Sequence, residues 1–243
     1  MTIDFCLPVR NEASLLRENT LKLRDFLLTN VSAFSWRIIV VINGSNDSSA
    51  LVAAQLATEN KDQIVFKVLE LAGKGRALKA GLSHSQADIL AFMDIDLAVS
   101  LDNLPDLLKP LLERRADLVI GSRLLPDSET NRSWLRELSS RLYIFLSRLI
   151  LKHHLTDLQC GFKAIKREVY KNLEIYLKDD NWFFDTELVI YALRHGYQIK
   201  EIPVNWRENY YDERQSKINL LSDSWRFLKN LLALRHRLKK SSH

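Results

Sequence analysis

The sequence predicts an α/β fold built on a Rossmann-like, mostly parallel sheet flanked by helices, with amphipathic helices toward its C-terminus. Three observations carry that expectation. Short β-branched runs alternate with amphipathic stretches through the N-terminal half, the residues directly after each run are polar, and 47% of the 243 residues are apolar, enough for one large core.

Residues 3–9 read as the first strand, and Leu16, Leu23, Phe26 and Leu27 recur behind it at helical spacing. Strands then fit 36–42, 64–69, 89–93 and 118–121, with helices at 48–59, 76–85 and 104–114 between or after them. Further on, residues 134–151 carry a stripe of Leu135, Leu138, Leu142, Phe145 and Leu149, while the last stretch sets Leu221, Trp225, Phe227, Leu228, Leu231, Leu232 and Leu234 on one broad arc. This divides the chain into a domain over 1–217 and a basic amphipathic helix and tail over 218–243.

The formal net charge is +5, and the end of the chain is basic through Arg235, Arg237, Lys239 and Lys240. An anionic membrane surface suits that asymmetry, as does a merely solubilising tail; no nucleic-acid partner is expected. The two apolar helix faces fit a bilayer interface, packing on the domain, a second copy of the chain, or a membrane-protein partner. No run approaches the ~20 apolar residues of a membrane span, and Met1 to Asp4 lack the order of a signal peptide. The expected location is therefore cytoplasmic, peripherally attached to the inner face of the membrane. Cys6 and Cys160 are the two cysteines, too few and too far apart for a disulfide framework or a zinc site.

In open parallel sheets, ligands bind beyond the carboxyl ends of the strands. There the chain places Pro8, Arg10, Asn11 and Glu12, then Asn43, Gly44 and Asp47, then Gly73 and Lys74, then Asp94 and Asp96. An extended Asp94-Ile95-Asp96 would turn both carboxylates to one side, toward a hard cation such as Mg2+ or Mn2+; a solvated loop is the plain alternative. Gly73-Lys74-Gly75 opens a helix whose free N–H groups would meet an anion, or is simply a turn. Asn43 to Asp47 fits a nucleotide loop or a helix cap. Gln159 could add a carbonyl oxygen to the metal or be a satisfied loop amide, and the segment around it is expected to return to the sheet beside the cation. Asp185 and Glu187 follow Trp182, Phe183 and Phe184, either in a partly dry functional place or as acids favoured at a helix start.

With those residues in view, the chain resembles the family 2 glycosyltransferases of the GT-A fold, in the polyprenyl- or dolichyl-phosphate glucosyl- and mannosyltransferase branch. The resemblance runs from Pro8-Val9-Arg10-Asn11-Glu12 through Asp94-Ile95-Asp96, Gly121-Ser122-Arg123 and Gln159-Cys160-Gly161-Phe162-Lys163 to Arg214-Gln215-Ser216-Lys217. It implies an inverting transfer of a hexose from a UDP- or GDP-sugar to a lipid monophosphate. Pro8, Arg10, Glu12, Asp47, Lys74 and Asp94 would lie near the nucleotide, and Asp94, Asp96 and Gln159 at the metal. An acceptor phosphate is already nucleophilic, so cations that position it matter more than a strong base; Arg123, Arg136 and Lys217 are the candidates. Asp185 and Glu187 would orient sugar or acceptor. One departure concerns Asn43, where the family usually has an acid. A soluble glycan or protein acceptor, and a silent nucleotide-sugar-binding subunit, are the competing readings. A dehydrogenase is disfavoured because no G-x-G-x-x-G opens the first helix.

Overall fold

A computed structural model describes residues 1–131, 134–207 and 220–240, apart from the side chains of 134–136 and 220–225. The Lys217 assignment and the Arg136 side chain lie outside the described residues.

The chain opens with strand β1 (Thr2–Val9), helix α1 (Ala13–Asn30), β2 (Ser35–Asn43), α2 (Ser49–Glu59), β3 (Ile64–Leu69), α3 (Lys74–Leu82) and β4 (Ile89–Phe92). It continues through α4 (Leu104–Leu112), β5 (Leu118–Ser122), β6 (Glu129–Asn131) and α5 (Trp134–Leu151). Then follow β7 (Lys163–Lys166), α6 (Arg167–Leu173), α7 (Phe184–Arg194), β8 (Ile199–Pro203), β9 (Asn205–Arg207) and α8 (Leu220–Lys240). The main sheet has the order β3-β2-β1-β4-β7-β5-β8. β7 alone runs antiparallel to its neighbours, and β6 pairs with β9 in a separate two-stranded sheet.

Alternation along β1 sorts its side chains into two layers. Ile3, Phe5, Leu7 and Val9 pack with Leu16, Leu23 and Leu27 of α1, while Cys6 joins the layer containing α3, α5 and α7. Both cysteines are buried and free. The order reverses between β1 and β4, the switch point at which a crevice opens. β4 pairs with β1 only from Ile3 to Cys6, so Pro8, which has no N–H, lies beyond that ladder and still matches Val41 on β2.

The C-terminal helix is not a separate unit. Leu231, Leu234 and Leu238 are buried in the same core as α7, and Phe227 meets Tyr143 of α5 with ring centroids 5.3 Å apart. A boundary after 217 therefore does not divide the core, and most of the described apolar arc of α8 faces protein. On α5 the inward face is Ile144, Ser147 and Leu151, which leaves the predicted stripe outward: Leu138, Leu142, Phe145 and Leu149 are each more than half exposed. No helix among the described residues is long and apolar enough to cross a membrane.

Candidate active site

The loops after β1 and β2 are tied together by their own polar side chains. Asp47 accepts the N–H of Ala13 and of Ser49, each at 3.0 Å, so one carboxylate caps the starts of both α1 and α2. Those bonds pull its pKa below the usual carboxylate range against the opposing effect of burial. Asn43 is 3% exposed; its amide donates to Val9 O at 2.8 Å and accepts from Gly73 N at 2.9 Å. Both side chains hold the loops together; Asn43 is buried with both ends of its amide engaged, whereas the Asp47 carboxylate is exposed and keeps acceptor capacity beyond these two bonds. The bridge also explains the amide at position 43, since a carboxylate cannot donate to a carbonyl. Gly44 has φ +58°, and a Cβ there would come 2.5 Å from Ala72 N. Glu12 is buried with its N–H on Ser49 Oγ, whereas Arg10 lies exposed at the rim.

The start of α3 differs from expectation in one respect. Its N–H groups do not wait for an anion: Gly75 N donates to Asn181 O at 3.1 Å and Arg76 N to Asp180 O at 3.0 Å. The loop before α7 thus caps the positive end of α3 with carbonyls. Asp180 adds ion pairs to Arg76 and Lys79, both at 2.6 Å. What α3 offers to a ligand is the Lys74 side chain.

Lys74 Nζ lies 2.8 Å from Asp94 Oδ1 and 3.4 Å from Asp185 Oδ2, with the Trp182 ring centroid at 5.1 Å. Asp185 in turn binds Lys163 Nζ at 2.7 Å, and that ammonium also donates to Cys160 O. Four charges of alternating sign therefore run from the core (Lys163, 0% exposed side chain) to the crevice (Asp94, 40%). Burial would lower the Lys74 pKa, but Asp185 and then Asp94 outweigh it and hold the ammonium above the ordinary lysine value. Gly161 completes the contact: a Cβ on it would lie 2.2 Å from Asp94 Oδ2 and 2.8 Å from Lys74 Nζ. Only a residue without a side chain lets the loop before β7 close over Asp94, and Gln159 stands two residues earlier in that loop.

Asp94-Ile95-Asp96 is a turn rather than an extended segment. Leu97 N donates to Asp94 O at 3.1 Å, Leu97 has φ +49°, and Ile95 is buried. Period-two alternation is therefore not what presents the two carboxylates. Asp94 points to Lys74, and Asp96 Oδ1 accepts Ala98 N at 3.2 Å. Among the described residues no group of three or more His, Cys, Asp or Glu side chains converges. A carboxylate-poor set still fits Mg2+ or Mn2+, hard ions bound by one or two carboxylates with substrate phosphate oxygens completing the shell.

Three other candidates are committed elsewhere. Glu187, 1% exposed, accepts Lys178 N at 2.7 Å and Asp179 N at 2.8 Å and pairs with Arg237 of α8. Asp185 is equally buried and reaches the crevice only through Lys74. Both carboxylates are 1% exposed and already paired with Lys163 and Lys74 or with Arg237. Arg123 grips Asp157 through Nε (2.7 Å) and Nη2 (3.0 Å); burial would lower its pKa, but Asp157 raises it. Its availability to an acceptor phosphate is limited to the remaining edge of the guanidinium.

Asp157 and Asp180 carry much of this geometry without having been singled out in the sequence, and Lys163 and Trp182 stood there only as neighbours within longer motifs. A signal existed for Lys163, a lysine between Phe162 and Ala164 in a run that enters the sheet. A second concavity of about 620 Å³ lies past the turn, between Leu97, Ser100, Glu129, Asn131, Trp206 and Arg207.

The mostly parallel seven-stranded sheet with antiparallel β7, flanked by helices, is a GT-A fold. The chain belongs to the family described as Glycosyl transferase family 2, whose profile matches residues 4–174. It is 32% identical over 222 residues to the glycosyltransferase AglD of Haloferax volcanii, covering 91% of this chain and 35% of that one. It is also 32% identical over 213 residues to the dolichyl-phosphate beta-glucosyltransferase of Dictyostelium discoideum, covering 84% and 64%. The chain therefore spans about a third of the first relative and under two thirds of the second. In fold it is similar to the mannosyl-3-phosphoglycerate synthase of Rubrobacter xylanophilus (TM-score 0.68, 19% identity, 100% of this chain and 75% of that one). It is also similar to the glucosyl-3-phosphoglycerate synthase of Mycobacterium tuberculosis in complex with Mg2+ and UDP (0.66, 20%, 98% and 79%).

Proposed function

We propose that the chain transfers a hexose from a nucleoside-diphosphate sugar, of the UDP-glucose or GDP-mannose type, to a polyprenyl phosphate such as dolichyl phosphate at a membrane surface. The observation that carries this reading is the Lys74–Asp94 contact beneath Gly161, which joins α3, β4 and the loop before β7 at the switch point. In this reading Asp94, with Asp96 and Gln159, holds Mg2+ or Mn2+. When bound, that ion neutralises the diphosphate leaving group as a Lewis acid. Lys74 adds a cation on the same side, and Arg10 lies at the crevice rim within the nucleotide half.

The acceptor phosphate oxygen attacks the anomeric carbon as the bond to the diphosphate breaks, and a single displacement inverts the centre. No strong base is required, which accords with the burial of Asp185 and Glu187. The lipid acceptor is supported by the dolichyl-phosphate beta-glucosyltransferase relatives and by the exposed ridge of α5 beside cationic α8. That ridge suits the inner, anionic face of a membrane, with a second copy or a membrane protein as the other possible cover.

The test is transfer from radiolabelled UDP-glucose and GDP-mannose to a polyprenyl phosphate in detergent, with Mg2+ or Mn2+ and with chelator. A lipid-linked product that disappears with chelator is expected. Transfer to a soluble glycan in place of the lipid would overturn the acceptor assignment.

A further inference from the structure

We propose that in the free protein Lys74 occupies Asp94 in place of a metal ion, so that a divalent cation binds there only together with a nucleoside diphosphate. This rests on the reading of Asp94 as the metal-holding carboxylate and goes beyond it by setting the order in which the site is filled.

Both oxygens of Asp94 have close neighbours, although the side chain stays 40% exposed to the crevice. Oδ1 carries the Lys74 ammonium at 2.8 Å, and Oδ2 lies against the Gly161 backbone, in the space a Cβ would fill. The lysine cannot easily withdraw, because its side chain is 7% exposed and its ammonium sits over the Trp182 ring. A divalent cation arriving alone would share the Asp94 carboxylate with the Lys74 ammonium a few Å away and would have Asp96 as its other carboxylate, and the Lys74 charge, 7% exposed, is only partly screened by water. The line Lys163, Asp185, Lys74, Asp94 is neutral as it stands, two ammonium groups against two carboxylates. A bare divalent ion adds positive charge beside Lys74, whereas a diphosphate entering with the ion more than offsets that charge and gives Lys74 new oxygen partners.

Asp185 makes the exchange possible. It already lies 3.4 Å from Lys74 Nζ, so the ammonium can release Asp94 and turn toward the diphosphate while one buried carboxylate continues to hold it. Lys163 pins Asp185 from the far side and keeps that pivot fixed. Asp185 is thus a positioning residue that acts through Lys74.

Binding of Mn2+ to the whole chain, followed by the loss of the free-ion EPR signal with and without UDP, tests this directly. The wild-type protein is expected to bind Mn2+ weakly alone and at least about tenfold more tightly with UDP, and by reciprocity Mn2+ should strengthen UDP binding by the same factor. Lys74→Met should bind Mn2+ alone about tenfold or more better than wild type and lose most of the UDP enhancement, since the competing charge is gone. Lys74→Arg should behave as wild type, and Asp94→Asn should bind no Mn2+ in either condition. Wild-type protein that binds Mn2+ equally well with and without UDP overturns the proposal without recourse to any variant. A Lys74→Met protein that binds Mn2+ alone as weakly as wild type, while UDP still enhances binding to wild type, removes the exchange and leaves the metal site standing. Absence of Mn2+ binding even with UDP removes both.

Discussion

Arg237, in the last turn of α8, pairs with Glu187 near the start of α7, and the second oxygen of that carboxylate holds two backbone N–H groups of the loop in front of α7. The same loop supplies Asp180 and Trp182 to α3 and Lys74. One ion pair therefore links the end of the chain to the edge of the crevice.

Glu187→Gln and Arg237→Met are each expected to lower stability by about 2 kcal/mol. This is below the 3–5 typical of a fully buried pair, because Arg237 is 31% exposed. Urea unfolding checks the magnitude. Turnover by Glu187→Gln at a temperature where it is folded should stay within about tenfold of wild type; a loss of the ~10²-fold or greater size associated with a general base would restore a catalytic role.

Asp94→Asn should abolish turnover with little effect on the unfolding midpoint, because the side chain is 40% exposed and Lys74 retains Asp185. Asp96→Asn should also impair turnover, with its contact to Ala98 N surviving in the amide oxygen. Steady-state kinetics alongside thermal melts separates the two effects, and wild-type rates in either variant would reject its assignment.

Arg123→Ala should be mainly a stability variant. It strips a nearly buried carboxylate, Asp157, of a two-pronged partner and leaves it only backbone donors such as Gln159 N and Cys160 N. A cost of about 2–3 kcal/mol is expected, with a double-mutant cycle against Asp157→Asn showing strong coupling. Independent, additive losses would argue that the pair matters little to the fold.

His153 sets a pH dependence. Burial, followed by Arg148, lowers its pKa to about 4 from the ordinary 6.5, and its Nε2 lies 2.9 Å from Ser147 Oγ. Between those values the unfolded chain binds a proton that the folded chain refuses. Stability is therefore complete above pH 6.5 and falls as pH drops toward 4, by on the order of 2 kcal/mol. Melts from pH 7 to pH 5 should show a decline that His153→Gln reduces.

Phe145→Glu and Leu149→Glu place charges on the outward ridge of α5, where each side chain is already more than 60% exposed. The fold should tolerate both, while sedimentation with anionic phospholipid vesicles and transfer to polyprenyl phosphate should fall together. Unchanged vesicle binding would direct attention to a protein partner for that face.

Local pattern was legible where one periodicity served one purpose. Residues 64–69 and 134–151 coincide with β3 and α5, and the alternating elements foretold the parallel half of the sheet. The carboxyl-end rule gathered Lys74 and Asp94, which the structure brings to 2.8 Å, and the expected return of the Gln159 loop to the sheet places Gly161 against them. The turn at Asp94 was not legible, because it is made without Gly or Pro and relies on a positive φ at Leu97. The amphipathic face of α8 looks the same whether a bilayer or a core receives it. Arg123–Asp157 and Arg237–Glu187 lie 34 and 50 residues apart, so only the assembled sheet reveals these pairings.

The antiparallel strand β7 has a consequence for synthesis. Strands β1 to β4 can zip into a partial sheet as soon as Phe92 has been made, but β5 bonds only to β7 and β8, both of which follow it. A growing chain thus carries an unpaired, fully buried-type strand through the whole of α5, an edge open to wrong partners or to a chaperone. Gly161 arrives in the same short stretch as β7, so the act that seals the sheet is also the one that sets a backbone against Asp94. The contact of Gly161 with Asp94 is therefore made only when that edge has been covered.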